Sequence, residues 1–232
     1  NAELVVVPLQ NLPENYKTTV FAPRFDCDFF AGNNARSCIA ATNVKAVRVP
    51  TVARKDRGNQ TLSANTMTAY FDQQTKDLDK FEAVGNTKFT ELDRNGIADQ
   101  MSFSNASQVV SLRNGEPTLW DSQARIKAGE IDWDTKKQRS YFRRKVSTTY
   151  YSQKKTGGAT PFQELNSPVF LTADTAEIDH TTETAVYTGN SRAWQENNYV
   201  RADKLVLNQK EGRLNGSGSV QSLLYDAKRK EN

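Results

Sequence analysis

Apolar and polar residues alternate over much of this chain, and the alternation is organised in one small unit that recurs six times. Each copy begins with an alanine, has apolar residues three and five positions later, and runs through a polar turn into a second alternating stretch. In three copies we expect this returning strand to begin at a Gly-Asn or Gly-Ser pair, at Gly85, Gly189 and Gly218. The six alanines are Ala22, Ala64, Ala98, Ala128, Ala173 and Ala202. Alternation with a period of two on both sides of a polar turn predicts half-buried β-strands joined as hairpins.

The spacing of the copies predicts how the strands are assembled. The alanines are 42, 34, 30, 45 and 29 residues apart, and a recurring unit of this size indicates a stacked architecture in which each copy buries its apolar edge against its neighbours. No stretch has helical periodicity without also reading as a strand. We therefore predict an all-β fold, a sheet of twelve or so strands folded over on itself.

One segment interrupts the repeats. Residues 152–167 break the alternation with Gly157, Gly158 and Pro161, which favours a loop, hinge or domain boundary. The predicted organisation is repeats one to four in residues 1–151, the joint at 152–167, and repeats five and six with a charged tail in residues 168–232.

The apolar positions of the repeats lie on one face, because side chains alternate along a strand. The leading strands contribute Phe25, Met67, Met101, Phe103, Ile131, Trp133, Ile178, Leu205 and Leu207, and the returning strands contribute Val44, Phe89, Leu119, Tyr150 and Trp194. Such a row can line a lipid groove, where each buried CH₂ of an acyl chain contributes about 0.8 kcal/mol. A closed core is the commoner fate of an apolar strand face, and the residues alone leave both interpretations open.

Composition narrows the class of protein. Of the 232 residues 37% are hydrophobic, and the mean hydropathy is −0.72, which suits a thin sheet better than a thick globular core. The net charge of +4 comes from 31 basic and 27 acidic residues, a mixed surface that disfavours nucleic acid as a partner. The chain has no apolar run of about 18 residues. It begins without Met or a signal sequence, so we expect a mature or trimmed chain.

Cys27 and Cys38 are the two cysteines. A two-residue turn at Gly32-Asn33 would place them directly opposite each other in a hairpin, within the distance that a disulfide requires. A disulfide would indicate an oxidising compartment such as the periplasm. Two buried thiols, or a different turn register, remain the alternative.

Candidate catalytic chemistry is sparse. His180 is the single histidine, and no nucleophile, phosphate-loop or metal-ligand motif occurs, so we expect no metal site and no cofactor. Asp26, Asp132 and Glu177 occupy the fourth position after their alanines, which directs them away from the apolar row. A catalytic carboxylate pair would line a groove, so these residues favour a solvated outer face.

A basic cluster lies in the fourth repeat. It consists of Lys136, Lys137, Arg139, Arg143, Arg144 and Lys145. Such side chains donate strongly to lipid phosphates, but a solvated hairpin is the more ordinary interpretation.

The last sixty residues resemble a known family. The segments LTADTAEIDHTTETAVYTGNSRAWQ and VRADKLVLNQKEGRLNGSGSVQ are similar to the repeat of the OstA-like periplasmic lipopolysaccharide transport proteins of the LptA/LptC type. The resemblance implies an elongated, open, V-shaped β-jelly roll whose groove shields the acyl chains of lipopolysaccharide, and six copies suggest a long form or two fused domains. It also implies edge-strand pairing with other β-jelly-roll transport proteins, end-to-end self-association, and a periplasmic location in a Gram-negative bacterium. Inner-membrane anchoring by a segment before Asn1 is compatible with it.

Three functional hypotheses follow. The leading one is a non-enzymatic carrier or bridge for lipopolysaccharide. The alternative is a structural or adaptor β-domain that pairs with protein edge strands and binds no lipid. The weaker alternative is a glycan-active enzyme on a stacked β-scaffold.

Overall fold

β-strands make up all the regular secondary structure of the described chain. The computed structural model describes residues 2–7, 15–53, 55, 57–151, 162 and 167–225, and these contain seventeen strands and no helix. A helix long and apolar enough to cross a membrane is accordingly not found in these ranges. The predicted all-β fold class is confirmed.

The chain packs into two compact units, Asn1–Asp121 with Asp134–Lys136, and Ser122–Trp133 with Lys137–Asn232. The strands of the first unit are β1 (Ala2–Val6), β2 (Tyr16–Ala22), β3 (Arg24–Phe29), β4 (Ala35–Pro50), β5 (Gln60–Phe71), β6 (Leu78–Glu91), β7 (Arg94–Ser104), β8 (Val109–Arg113) and β9 (Thr118–Trp120). Those that follow are β10 (Ala124–Lys127), β11 (Glu130–Asp134), β12 (Arg139–Tyr150), β13 (Val169–Asp179), β14 (Thr184–Gln195), β15 (Asn198–Asn208), β16 (Arg213–Ser217) and β17 (Gln221–Leu223).

The predicted joint at 152–167 lies outside the described residues, apart from Phe162 and Ser167. The division into 1–151 and 168–232 therefore stays a prediction.

Successive strands pair antiparallel, so each unit is a meander. In three places two consecutive short strands pair with the same neighbour and so form one interrupted strand. These pairs are β2 and β3 beside β4, β8 and β9 beside β7, and β16 and β17 beside β15. β10 pairs with β12, and β11 continues beside it, since Glu130 and Asp132 form ion pairs with Arg144 and Arg143 of β12. With each pair of halves counted once, the described residues contain the twelve predicted strands and, in addition, β1.

The returning strands are bent by bulges that contain two consecutive residues of positive φ. These are Thr42-Asn43 in β4, Gly85-Asn86 in β6, Arg144-Lys145 in β12 and Gly189-Asn190 in β14, and the pairing register shifts at each of them. A bulge adds one residue to a strand and bends it. The expectation that returning strands begin at the Gly-Asn pairs was therefore wrong, because β6 and β14 start five or more residues earlier.

The first hairpin joins β3 to β4. Cys27 and Cys38 are cross-strand partners and form a disulfide. The turn is longer than the predicted two residues, since the Phe30 amide donates to the Asn34 carbonyl at 2.8 Å. A register shift after Asp28 absorbs this difference.

Candidate functional site

We call the side of the strands on which the buried side chains of a unit lie its inward face. Cross-strand partners share a face, and in the first unit one row of partners crosses six strands. From β3 to β8 it consists of Phe25, Ala40, Met67, Ala83, Met101 and Leu112. All of these except Phe25 are buried. Large side chains alternate with alanine from Phe25 to Met101, and Met101 then faces Leu112.

Two further apolar rows flank this one on the same face of the first unit. One contains Cys27, Cys38, Ala69, Phe81, Phe103 and Val110, and the other contains Val20, Ala46, Leu62, Phe89, Gly96 and Leu119. At Gly96 the Leu119 side chain takes the space beside the backbone, since a Cβ there would lie 2.9 Å from Leu119 Cδ2. Between the central row and the last one lie the buried Val44, Ala64, Thr87 and Ala98, so the inward face of the unit is largely apolar.

The second unit has an equivalent inward face. One row contains Phe142, Ala176, Tyr187, Leu205 and Gly216, and the next contains Ser140, Ile178, Ala185, Leu207 and Leu214. This face also carries polar groups: the Tyr187 hydroxyl donates to Thr148 Oγ1 at 3.0 Å and lies 3.3 Å from the Tyr150 hydroxyl. Burial raises the pKa of Tyr187 well above its usual value, so the hydroxyl is a neutral donor at physiological pH.

The predicted groove residues divide into two sets by burial. The buried set is Val44, Met67, Met101, Ile131 and Leu205. The half-buried set is Phe25, Phe89, Phe103, Leu119, Trp133, Tyr150, Ile178, Trp194 and Leu207. The Trp133 indole nitrogen is buried and has no hydrogen-bond partner among the described residues. Large apolar side chains of the inward face therefore retain some solvent contact.

A family model matches this chain over residues 54–139 and 171–231, more than half of its length. The family is described as the LptA/(LptD N-terminal domain) LPS transport proteins. The chain belongs to this family. The predicted resemblance to lipopolysaccharide transport proteins is thus confirmed, and the protein is involved in lipopolysaccharide transport.

Among solved structures, the chain is similar to LptH of Pseudomonas aeruginosa, described as the LptA homologous periplasmic component of the lipopolysaccharide transport device. The two are 10% identical with a TM-score of 0.48, over 57% of this chain and 95% of LptH. No curated protein matches the chain.

In this member of the LPS transport family, Trp194 does not join the inward rows. Its neighbours Ala193 and Gln195 are buried on the inward face, and alternation directs Trp194 to the other side of β14. There its ring stacks on Phe170, with centroids 5.5 Å apart, and its partner on β15 is Tyr199.

The carboxylates considered as catalytic candidates in this protein, Asp26, Asp132 and Glu177, form ion pairs on outward faces. Glu177 and Asp179 pair with Arg139, and Asp132 pairs with Arg143. Much of the predicted basic cluster is thereby compensated by carboxylates of its own sheet. Asp26 pairs with Arg24 at an exposed site. The described residues contain no group of three or more His, Cys, Asp or Glu that could hold a metal ion.

His180 lies at the turn after β13, and its Nε2 is 2.8 Å from Ser140 Oγ. Its backbone amide donates to the Gln138 carbonyl. This histidine therefore connects the β13 turn to the start of β12.

Sequence analysis missed several of the most deeply buried side chains, among them Phe142 and Tyr187, which are 2% and 0% exposed. Both lie two residues before a bulge, and so do Ala40 and Ala83 of the central row of the first unit. Counting back two residues from the Gly-Asn pairs of β6 and β14 would have identified Ala83 and Tyr187, whereas the bulges of β4 and β12 carry no such sequence signal.

Proposed function

We propose that this protein is a non-enzymatic periplasmic carrier that holds the acyl chains of lipopolysaccharide on its inward faces. The observation that carries the proposal is the presence of rows of apolar side chains, interspersed with alanine and glycine, on one face of each unit. Acyl methylenes buried against these rows would contribute about 0.8 kcal/mol each. The half-buried aromatic side chains Phe25, Phe89 and Phe103 support an inward face that lipid can reach.

Edge strands supply the second part of the proposal, a bridge in which neighbours join by strand pairing. Within the described residues, β1 pairs only with β2, and β16 and β17 pair only with β15. Unpaired strand edges are templates for another strand. Apolar side chains are exposed along them, with Val5 43% exposed in β1 and Leu223 54% exposed in β17.

The disulfide supports a periplasmic location. Disulfides persist in oxidising compartments such as the periplasm and are rare in the cytosol, and Cys27 and Cys38 are bonded to each other. The family description as LPS transport proteins agrees with this location.

Site-specific photo-crosslinking tests the carrier. A photoreactive amino acid replaces Phe103, which faces inward on β7, and in a matched variant it replaces Ser102, which faces outward on the same strand. We expect lipopolysaccharide to crosslink from position 103 and not from 102. Crosslinks to protein edges without any lipid adduct would instead favour the adaptor hypothesis, and lipid adducts from 102 alone would contradict the inward groove.

A further inference from the structure

A polar row ends the inward face of the first unit. On each strand of the row Val20, Ala46, Leu62, Phe89 and Gly96, the residue two positions further toward the same end of the sheet is polar. These polar residues are cross-strand partners of one another: Thr18, Arg48, Gln60, Glu91 and Arg94. A step of two residues keeps the same face of a strand and advances about 7 Å. The apolar surface therefore meets charged groups within one such step.

Arg48 is held in this row by neutral partners. Its Nη1 donates to Gln60 Oε1 at 2.9 Å, and its guanidinium carbon lies 4.5 Å from the centroid of the Tyr16 ring. Gln60 Nε2 in turn donates to the Tyr16 hydroxyl at 3.3 Å. No carboxylate of the described residues lies within ion-pair distance of Arg48.

A second guanidinium faces the same tyrosine. The guanidinium carbon of Arg57 lies 5.8 Å from the Tyr16 ring centroid, so two guanidinium groups lie against one ring. The carboxylate of the row is already compensated, since Glu91 is 4% exposed and accepts Arg94 Nη2 at 3.0 Å. Among the described residues, the row thus contains the guanidinium groups of Arg48 and Arg94 and the carboxylate of Glu91, with Arg57 beside Tyr16.

The second unit lacks this cluster at the equivalent place. Arg48 is five residues after Asn43, the second residue of the β4 bulge. Five residues after the second bulge residue, the other returning strands have Glu91, Tyr150 and Gln195. Both residues of the second unit, Tyr150 and Gln195, are neutral. The cationic row is therefore a property of the first unit rather than of the repeat.

We propose that Arg48 and Arg57, with the Tyr16 hydroxyl, bind a phosphate group carried by an acylated amphiphile whose chains lie on the adjoining apolar rows. Guanidinium groups bind phosphate through two parallel charge-assisted hydrogen bonds, and Arg48 uses one of its donors on Gln60. The proposal rests on the proposed carrier function and adds the anionic subsite that orients the lipid.

The test uses the full chain and a matched pair of lipids. The probes are a detergent-solubilised acylated glucosamine disaccharide bearing two phosphates and the same lipid with its phosphates removed. Binding is measured for the wild type, for Arg48→Gln, and for Lys45→Gln, which removes the same charge from the outward face of the same strand. Binding is also measured for Arg57→Gln, which removes the second guanidinium from the loop before β5 and so leaves the strands unchanged.

Arg48→Gln and Arg57→Gln should each weaken binding of the phosphorylated lipid about tenfold and change binding of the dephosphorylated lipid less than about twofold. Lys45→Gln should change neither. If Arg48→Gln and Arg57→Gln weakened binding of both lipids equally, or of neither lipid, the proposed phosphate subsite would be wrong. An Arg48-dependent affinity for inorganic phosphate as tight as that for the lipid would replace it by a site for the free ion.

The failure of this subsite is distinct from the failure of the carrier. Wild-type protein that binds both lipids equally tightly would reject the phosphate subsite and leave the acyl-chain carrier standing. Wild-type protein that binds neither lipid would reject both.

Discussion

The side chain of Asp174 in β13 lies against the backbone of Gly189 in β14, in the space that a Cβ would occupy. A Cβ on Gly189 would stand 2.9 Å from Asp174 Cβ, and Asn190 Nδ2 donates to Asp174 Oδ2 at 3.0 Å. Asp203 and Gly218 repeat the arrangement. In the repeat, the aspartate that follows the alanine of the leading strand thus contacts the Gly-Asn or Gly-Ser pair of the returning strand.

The fourth repeat exchanges the two roles. Gly129 follows its alanine, and Arg144, with φ +66°, occupies the bulge. A Cβ on Gly129 would lie 2.8 Å from Arg144 Cβ, and the Gly129 amide donates to the Arg144 carbonyl at 2.9 Å. In this copy the glycine lies on the leading strand, so the bulge residue can carry a side chain and the Gly-Asn pair is not needed.

Gly189→Ala is expected to lower the free energy of unfolding by about 2–4 kcal/mol. The added methyl would overlap the Asp174 side chain, and Gly189 has φ +79°. Urea denaturation followed by circular dichroism measures the change. Gly216→Ala is the control, because its Cβ would meet ordinary contacts at 3.5 Å; equal destabilisation by both variants would contradict the steric explanation.

Tyr187→Phe is expected to destabilise the second unit by about 1 kcal/mol. The change removes the donor to the hydroxyl of Thr148, which is fully buried. Thermal unfolding of Tyr187→Phe and of Tyr150→Phe gives the comparison, and we expect the smaller effect at Tyr150, whose hydroxyl lies 3.3 Å from that of Tyr187. A larger loss at Tyr150 would show that the hydroxyl pair, not Thr148, carries the stabilisation.

Reduction of the Cys27–Cys38 disulfide is expected to lower the free energy of unfolding by about 2–3 kcal/mol, because the bond closes a short loop in the unfolded chain. The two cysteines are 11 residues apart in the sequence. Urea unfolding with and without reductant measures the loss. A double variant with both cysteines changed to serine should not respond to reductant, and a response of equal size would assign the effect elsewhere.

Asp179 is expected to make stability depend on acid pH. The backbone amide of Thr182 above all, with that of Thr181 and the Arg139 guanidinium, holds the pKa of this carboxyl below its usual value. A depressed folded-state pKa contributes stability above the unfolded value of about 4 and loses it as the pH falls through the folded value. Unfolding between pH 6 and pH 2 should therefore show a weaker pH dependence for Asp179→Asn than for the wild type, and parallel curves would contradict this.

Trp194 illustrates why the sequence pattern alone misplaced some side chains in the interpretation of the groove. Inward residues follow the second positive-φ residue of a bulge at odd distances, as Val44 follows Asn43 and Phe89 follows Asn86. Trp194 is four residues after Asn190 and so faces outward. On β14 the alternation passes through the bulge unchanged, since Tyr187 before it and Ala193 after it are both buried, and the inward parity changes instead on the paired strand β13, between Ala173 and Ala176.

The sequence by itself predicted an all-β fold, about twelve strands and a hairpin that could place Cys27 opposite Cys38, because period-two alternation and local turn chemistry are properties of neighbouring residues. The tertiary structure decided which face of each bent strand is inward, and it gathered Tyr16, Arg48 and Arg57 at one end of the first unit. These contacts join residues from separate strands and a loop. Their distances depend on how the bulges set the register between strands, which no local pattern records.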